Sequence, residues 1–154
     1  MQTIVDINNM LQSIVNDHEV LRSFHTFTLD TLDMDKLNAS DYPLLYGQCT
    51  DAVLTDGMTE FTYEIIVGDL VIEEQQEHIT EIYSETFLLL QDVAAQFAFN
   101  MNVSSLVDGN NWSFQLPLQC QPFTARFDNS LTGWSTTFSL RLPNALNLCD
   151  APYG

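Results

Sequence analysis

Residues 59–72 read TEFTYEIIVGDLVI and residues 77–98 read EHITEIYSETFLLLQDVAAQFA. The period of the apolar positions changes between them. In the first stretch Phe61, Tyr63, Ile65 and Val67 alternate with Thr62, Glu64 and Ile66. That two-residue period predicts a strand with one face against a core. In the second, Ile79, Ile82, Tyr83, Thr86, Leu89, Leu90, Val93 and Phe97 recur at three- and four-residue spacing, while Glu81, Glu85 and Asp92 lie mostly off that stripe. This is the pattern of an amphipathic helix. The polar run at 73–78 joins the two, so the helix is expected to fold back across the sheet and anchor the core.

Working towards the N-terminus, Asp56-Gly57 is a turn signal, and residues 49–58 read as a turn region between extended runs. Tyr42-Pro43-Leu44-Leu45-Tyr46 reads as a short strand. Pro43 lacks an N–H for a ladder, which places it at the strand start or on an edge. Residues 33–41 read as a polar loop, and 22–32 as a strand with Phe27 and Leu29 on one side. Residues 3–15 carry Ile4, Ile7, Leu11, Ile14 and Val15 at helical spacing, with Asp6, Asn9 and Gln12 opposite.

Working towards the C-terminus, Asp108-Gly109-Asn110-Asn111 signals a turn. Trp112, Phe114, Leu116 and Leu118 alternate, so 112–118 reads as a strand, with Pro117 marking an edge or strand end. Phe123, Ala125 and Phe127 alternate again before the Asp128-Asn129 turn. Residues 131–142 read as a further strand, with Trp134, Thr136, Phe138, Leu140 and Leu142 on one face. Strands and helices are segregated rather than strictly alternating. The expected fold is α+β: a mostly antiparallel sheet with an N-terminal helix and one long helix packed on it. No linker or internal repeat divides the chain, so residues 1–154 read as a single domain.

Twenty-one acidic residues face four basic ones, for a net charge of −17. Arg22, Lys36, Arg126 and Arg141 are scattered, so the clustered positive charge that phosphate binding needs is missing. An anionic membrane would repel the chain, and no apolar run approaches the length of a membrane span. The N-terminus lacks the basic and apolar regions of a signal peptide. The charge fits generic solubility, or a wall that DNA passes without sticking. Cys49, Cys120 and Cys149 form no Cys-x-x-Cys pair, which fits reduced thiols, with a Cys120–Cys149 bridge as the alternative.

Catalytic and metal signatures are missing. His18, His25 and His78 lack metal-ligand spacing. The Asp33-x-Asp35 run lacks the glycine of a calcium loop. There is no Gly-x-Ser-x-Gly and no phosphate-binding glycine loop. The expectation is a protein that is not an enzyme and uses no cofactor, metal or catalytic residue.

The order of segments carries a resemblance. It runs through Tyr42-Pro43-Leu44-Leu45-Tyr46, then Tyr63-Glu64-Ile65-Ile66-Val67-Gly68-Asp69-Leu70, then Glu81-Ile82-Tyr83-Ser84-Glu85-Thr86 with Gln91-Asp92-Val93. It continues in Pro122-Phe123-Thr124-Ala125-Arg126-Phe127-Asp128-Asn129, Leu131-Thr132-Gly133-Trp134 and Cys149-Asp150-Ala151-Pro152. Over about residues 3–152 this resembles the tail-terminator and tail-completion proteins of tailed bacteriophages. The resemblance implies a structural virion protein of the neck or tail, assembled in the host cytoplasm. It implies a homo-oligomeric ring at the head–tail junction, of six subunits or alternatively twelve. Its partners would be its own copies and other neck and tail proteins, with DNA passing through the channel unbound and no membrane involved. Its motifs are packing and turn patterns, so no catalytic residue carries over.

Six residues are singled out as structural or interface candidates. Pro43 and Pro117 would mark strand edges open to a neighbouring copy. Gly133 would mark a bulge or close approach at a strand start, or an ordinary turn. Trp134, with Trp112, reads as core or interface rather than a sugar platform. Arg126 and Arg141, scarce bases on an acidic protein, would pair with carboxylates within the chain or across a subunit boundary. A head-side connector ring is the alternative within the structural class. Outside it stand a small acidic adaptor or inhibitor that binds a basic partner, and a hydrolase assembled from scattered acids.

Overall fold

The structure is a computed structural model and describes residues 4–26, 39–70, 76–99, 113–114, 116–126 and 131–143. Helix α1 spans Ile4–Asp17, strand β1 Ser23–His25, and a short 3-10 turn Ala39–Asp41. Strands β2 (Leu44–Thr55) and β3 (Met58–Leu70) follow as a hairpin. Helix α2 runs Gln76–Phe99, and β4 (Ser113–Phe114), β5 (Cys120–Arg126) and β6 (Leu131–Pro143) close the order. The sheet runs β1-β2-β3-β6-β4, with β5 also paired to β6. Among the described pairings β1–β2 is parallel and the others are antiparallel. The α+β fold with a mostly antiparallel sheet, an N-terminal helix and a long helix is therefore the one the periodicities predicted.

Both helices lie on the same face of the sheet. Leu45, Tyr63, Ile65, Val67, Phe138, Leu140 and Leu142 point to that face and are buried in one cluster. The α1 side chains Ile7, Met10, Leu11, Ile14 and Val15 and the α2 side chains Leu89, Leu90, Val93 and Phe97 complete it. Burying a large aliphatic side chain contributes about 1.5–3 kcal/mol. This cluster therefore supplies most of the driving force. The Tyr63 hydroxyl ties the sheet to α1 by donating to Asn8 Oδ1 at 3.1 Å. Tyr63 and Phe138 stack on adjacent strands at 5.9 Å between ring centres. On the opposite face a smaller cluster of Tyr42, Leu44, Tyr46, Ile66 and Leu131 occupies one end. The rest of that face is polar.

Two local expectations need correction, and a third falls mostly outside the described residues. Residues 49–55 are not a turn region, because β2 continues to Thr55 and only Asp56 and Gly57 make the reversal. Gly57 takes φ 90°, the left-handed conformation such a tight turn needs from a glycine. The strand read at 112–118 is paired only at Ser113–Phe114, and residues 116–119 are outside any strand. Of the strand read at 22–32, Ser23–His25 is extended and 27–32 lie outside the described residues, as does most of the loop read at 33–41. Among the described residues no helix is long and apolar enough to cross a membrane.

Candidate interaction surfaces

Gly133 is the third residue of β6 and lies opposite Gly68 in the β3–β6 register. A Cβ built on it would sit 2.0 Å from the Val67 carbonyl oxygen and 2.8 Å from the Gly68 Cα. The close-approach reading is the right one, and the ordinary-turn reading is excluded. The neighbouring Trp134 points to the helix face. Its indole N–H donates to the Tyr83 carbonyl at 2.9 Å, and its ring meets Tyr83 and Phe87 edge-on at 5.9 and 5.2 Å. Trp134 thus fastens β6 to α2, while one side of the ring remains solvent-accessible. The Tyr83 hydroxyl reaches on to the Thr124 hydroxyl of β5.

Arg141 pairs within the chain. It faces Glu60 across the β3–β6 ladder, and its Nε donates to Glu60 Oε2 at 2.7 Å. That contact makes a subunit-crossing role unnecessary for Arg141. Arg126 ends β5 in register with Leu131, and its side chain lies outside the described set. Pro43 immediately precedes β2, and its carbonyl accepts the Arg22 N–H at 2.9 Å. It is not on a sheet edge, because β2 there is flanked by β1 and β3. Pro117 lies between β4 and β5. A cis peptide bond precedes each proline. Trp112 and Cys149 lie outside the described residues. Cys49 and Cys120 are free thiols in the structure, and Cys149, the partner in the alternative bridge, lies outside the described residues.

Two surfaces went unnoticed among the sequence candidates. The first is the outer part of β2. Strand β1 pairs only with Leu44–Tyr46, and beyond that point no described strand lies on that side of β2. Thr50 to Thr55 are all exposed, with Val53 at 50% and Leu54 at 65%. The register shifts between Cys49 and Asp51, a bulge that twists the edge and partly protects it. The four residues after Asp51 carry no charge. A signal was present: adjacent Val53 and Leu54 must point to opposite faces, so one helix layer could never bury both.

The second surface is the outward side of α2. Glu77, Glu81, Glu85, Leu88 and Asp92 follow one another at steps of four, four, three and four residues, which places them on one face. No lysine or arginine occurs in α2. Leu88, 60% exposed, stands between two hollows. One, of about 430 Å³, is floored by Tyr83, Phe87 and Trp134. The other, of about 480 Å³, is lined by Val20, Pro43 and Leu89 together with Asp69, Glu85 and Asp92. The run Phe87-Leu88-Leu89-Leu90 was the signal here: four consecutive residues at 100° each cannot all reach the core.

Among the described residues no group of three or more His, Cys, Asp or Glu side chains could hold a metal ion. Burial pushes the Tyr63 hydroxyl far up, with a smaller contribution from Cys49, so it remains a neutral donor. The Cys49 thiol is also raised, chiefly by burial and further by Asp51, against a lowering contact to the Asp51 carbonyl. A raised thiol is a poor nucleophile. The His25 ring is shifted down by burial, opposed by the Asp41 charge. His18 accepts the Val20 and Leu21 N–H groups at Nδ1, and its Nε2 meets Asp92 at 2.9 Å. Comparison with known protein families and with curated proteins finds no match for this chain.

Proposed function

We propose that the protein is a structural subunit of a tailed-phage neck or tail, a tail terminator or tail-completion protein that assembles into a ring at the head–tail junction. A head-side connector is the variant of the same reading. The observation that carries the ring is the uncharged, two-sidedly exposed outer half of β2. Among the described residues no strand lies on the outer side of that part of β2, and a strand edge of this kind is where another chain can add. The far side of the sheet is different: there β4 and β5 lie end to end along β6. Unlike edges meeting head to tail make a heterologous contact, which closes by rotation into a ring. The charge of −17 per chain supports a channel wall that repels phosphates, so that DNA slides.

The test has two parts. Native mass spectrometry of the concentrated protein should show a closed oligomer, and Leu54→Lys should return it to monomer without changing its melting temperature. Electron cryo-microscopy of virions carrying the protein should then place a symmetric ring of this chain between capsid and tail. A fully resolved neck and tail with no density for the chain overturns the reading.

A further inference from the structure

We infer that the outward side of α2 around Leu88 is a docking surface for a basic amphipathic segment of a different protein. Leu88 is the ridge of a continuous surface, with an aromatic hollow formed by Phe87 and Trp134 on one flank and the Val20–Pro43 hollow on the other. The two hollows differ in charge. The aromatic one is bordered by uncharged Thr80 and Ser84, while Asp69, Glu85 and Asp92 rim the other. An occupant that fits both sets leucine or phenylalanine side chains beside Leu88 and projects lysine or arginine over the acidic rim.

The acids themselves argue for a cation from outside. Like charges at four-residue spacing destabilise a helix by about 0.2–0.5 kcal/mol per pair. Glu77, Glu81 and Glu85 make two such pairs, and α2 contains no lysine or arginine to offset them. Among the described residues the one ion pair to this rim comes from His18, whose Nε2 touches one oxygen of Asp92, and Asp92 remains more than half exposed.

A second copy of this chain does not fit. Among the described residues its exposed apolar pairs lie near acids: Val53-Leu54 between Asp51 and Asp56, Ile4-Val5 before Asp6, and Phe87-Leu88 shortly after Glu85. Its four bases are widely separated, so no segment combines apolar anchors with clustered positive charge. The surface is separate from the β2 edge, and the inference holds whether or not the protein forms a ring.

The experiment titrates three synthetic helical peptides against the full chain in about 0.15 M salt, where exposed charges are screened beyond about 8 Å. One has a leucine face and a lysine face. The second replaces its lysines with glutamates, and the third replaces its leucines with alanines. The first should bind saturably, and each of the others about tenfold more weakly or less. Leu88→Asp should weaken the first peptide by about tenfold while leaving the circular dichroism and melting temperature unchanged, because Leu88 contributes little to the core. Leu54→Lys should leave peptide binding intact even if assembly is lost. Equal binding to Leu88→Asp, equal binding of the glutamate or alanine peptide, or no binding of the first peptide overturns the inference.

Discussion

The two halves of β2 have the same partner and opposite surroundings. Leu44 to Gly47 pair with β3 and are buried, Leu45 beneath the helix layer and Leu44 and Tyr46 in the cluster on the opposite face. Ala52 to Thr55 continue pairing with β3 in regular register and are exposed throughout. Pairing with β3 does not distinguish the halves; pairing with β1 and coverage of the two faces do. The α1 and α2 layer ends before the hairpin does, so the inner half holds the fold together while the outer half is a projecting edge. Stability and assembly are therefore expected to separate along a single strand.

The largest expected effect comes from the buried end. Gly133→Val would drive a side chain into the Val67 carbonyl, which only a displacement of β6 from β3 could relieve. More than about 4 kcal/mol of stability should be lost, read as insoluble expression or a collapsed denaturation midpoint. A soluble Gly133→Val protein with the parental midpoint would remove the close approach from the account.

Next is a matched pair along the hairpin. Ile65→Ala, opposite Gly47 under α1, should cost about 2–5 kcal/mol in urea unfolding. Leu54→Ala should change stability by no more than about 0.5 kcal/mol. Equal costs would mean that the outer half is covered, and the comparison would fail.

A smaller effect is expected for Arg141→Ala. Its pair with Glu60 is partly solvated, so about 0–1 kcal/mol should be lost, and less at high salt. A loss of several kcal/mol would show that the polar sheet face is less open than its exposure indicates.

The smallest effect concerns pH. Because burial lowers the His25 pKa in the folded state, the unfolded chain takes up the proton first. This contribution to stability is complete above the ordinary histidine value of about 6.5 and declines as pH falls through that value towards the depressed folded one. Melting from pH 7.5 to about 5.5 should show a shallower decline in His25→Gln than in the parent. An identical slope would remove His25 as the cause.

Much of the architecture was legible locally. The alternation Phe61-Tyr63-Ile65-Val67 and the stripe Ile82-Thr86-Leu89-Val93-Phe97 describe faces that are buried or half-buried in the structure. Each is a periodicity whose physical cause lies within its own segment. The outer half of β2 was not legible, because Cys-Thr-Asp-Ala-Val-Leu-Thr has neither period and resembles a loop. It is extended because β3 lies beside it. Pro43 marks the start of β2 rather than an edge, since β2 there has neighbours on both sides, while Pro117 lies between β4 and β5 at the other side of the sheet.

By itself the sequence determined the two helices, the β3 and β6 strands with their apolar faces, the reversal at Asp56-Gly57 and the large negative charge, since each depends on spacing or composition alone. Only the tertiary structure decided that both helices share one face, that Gly133 meets Gly68, that Arg141 meets Glu60, and that Val53, Leu54 and Leu88 stay uncovered. The reason is physical: periodicity states which side of an element avoids water. Which other element arrives to shield that side, and where its coverage stops, depends on contacts between residues far apart in the chain.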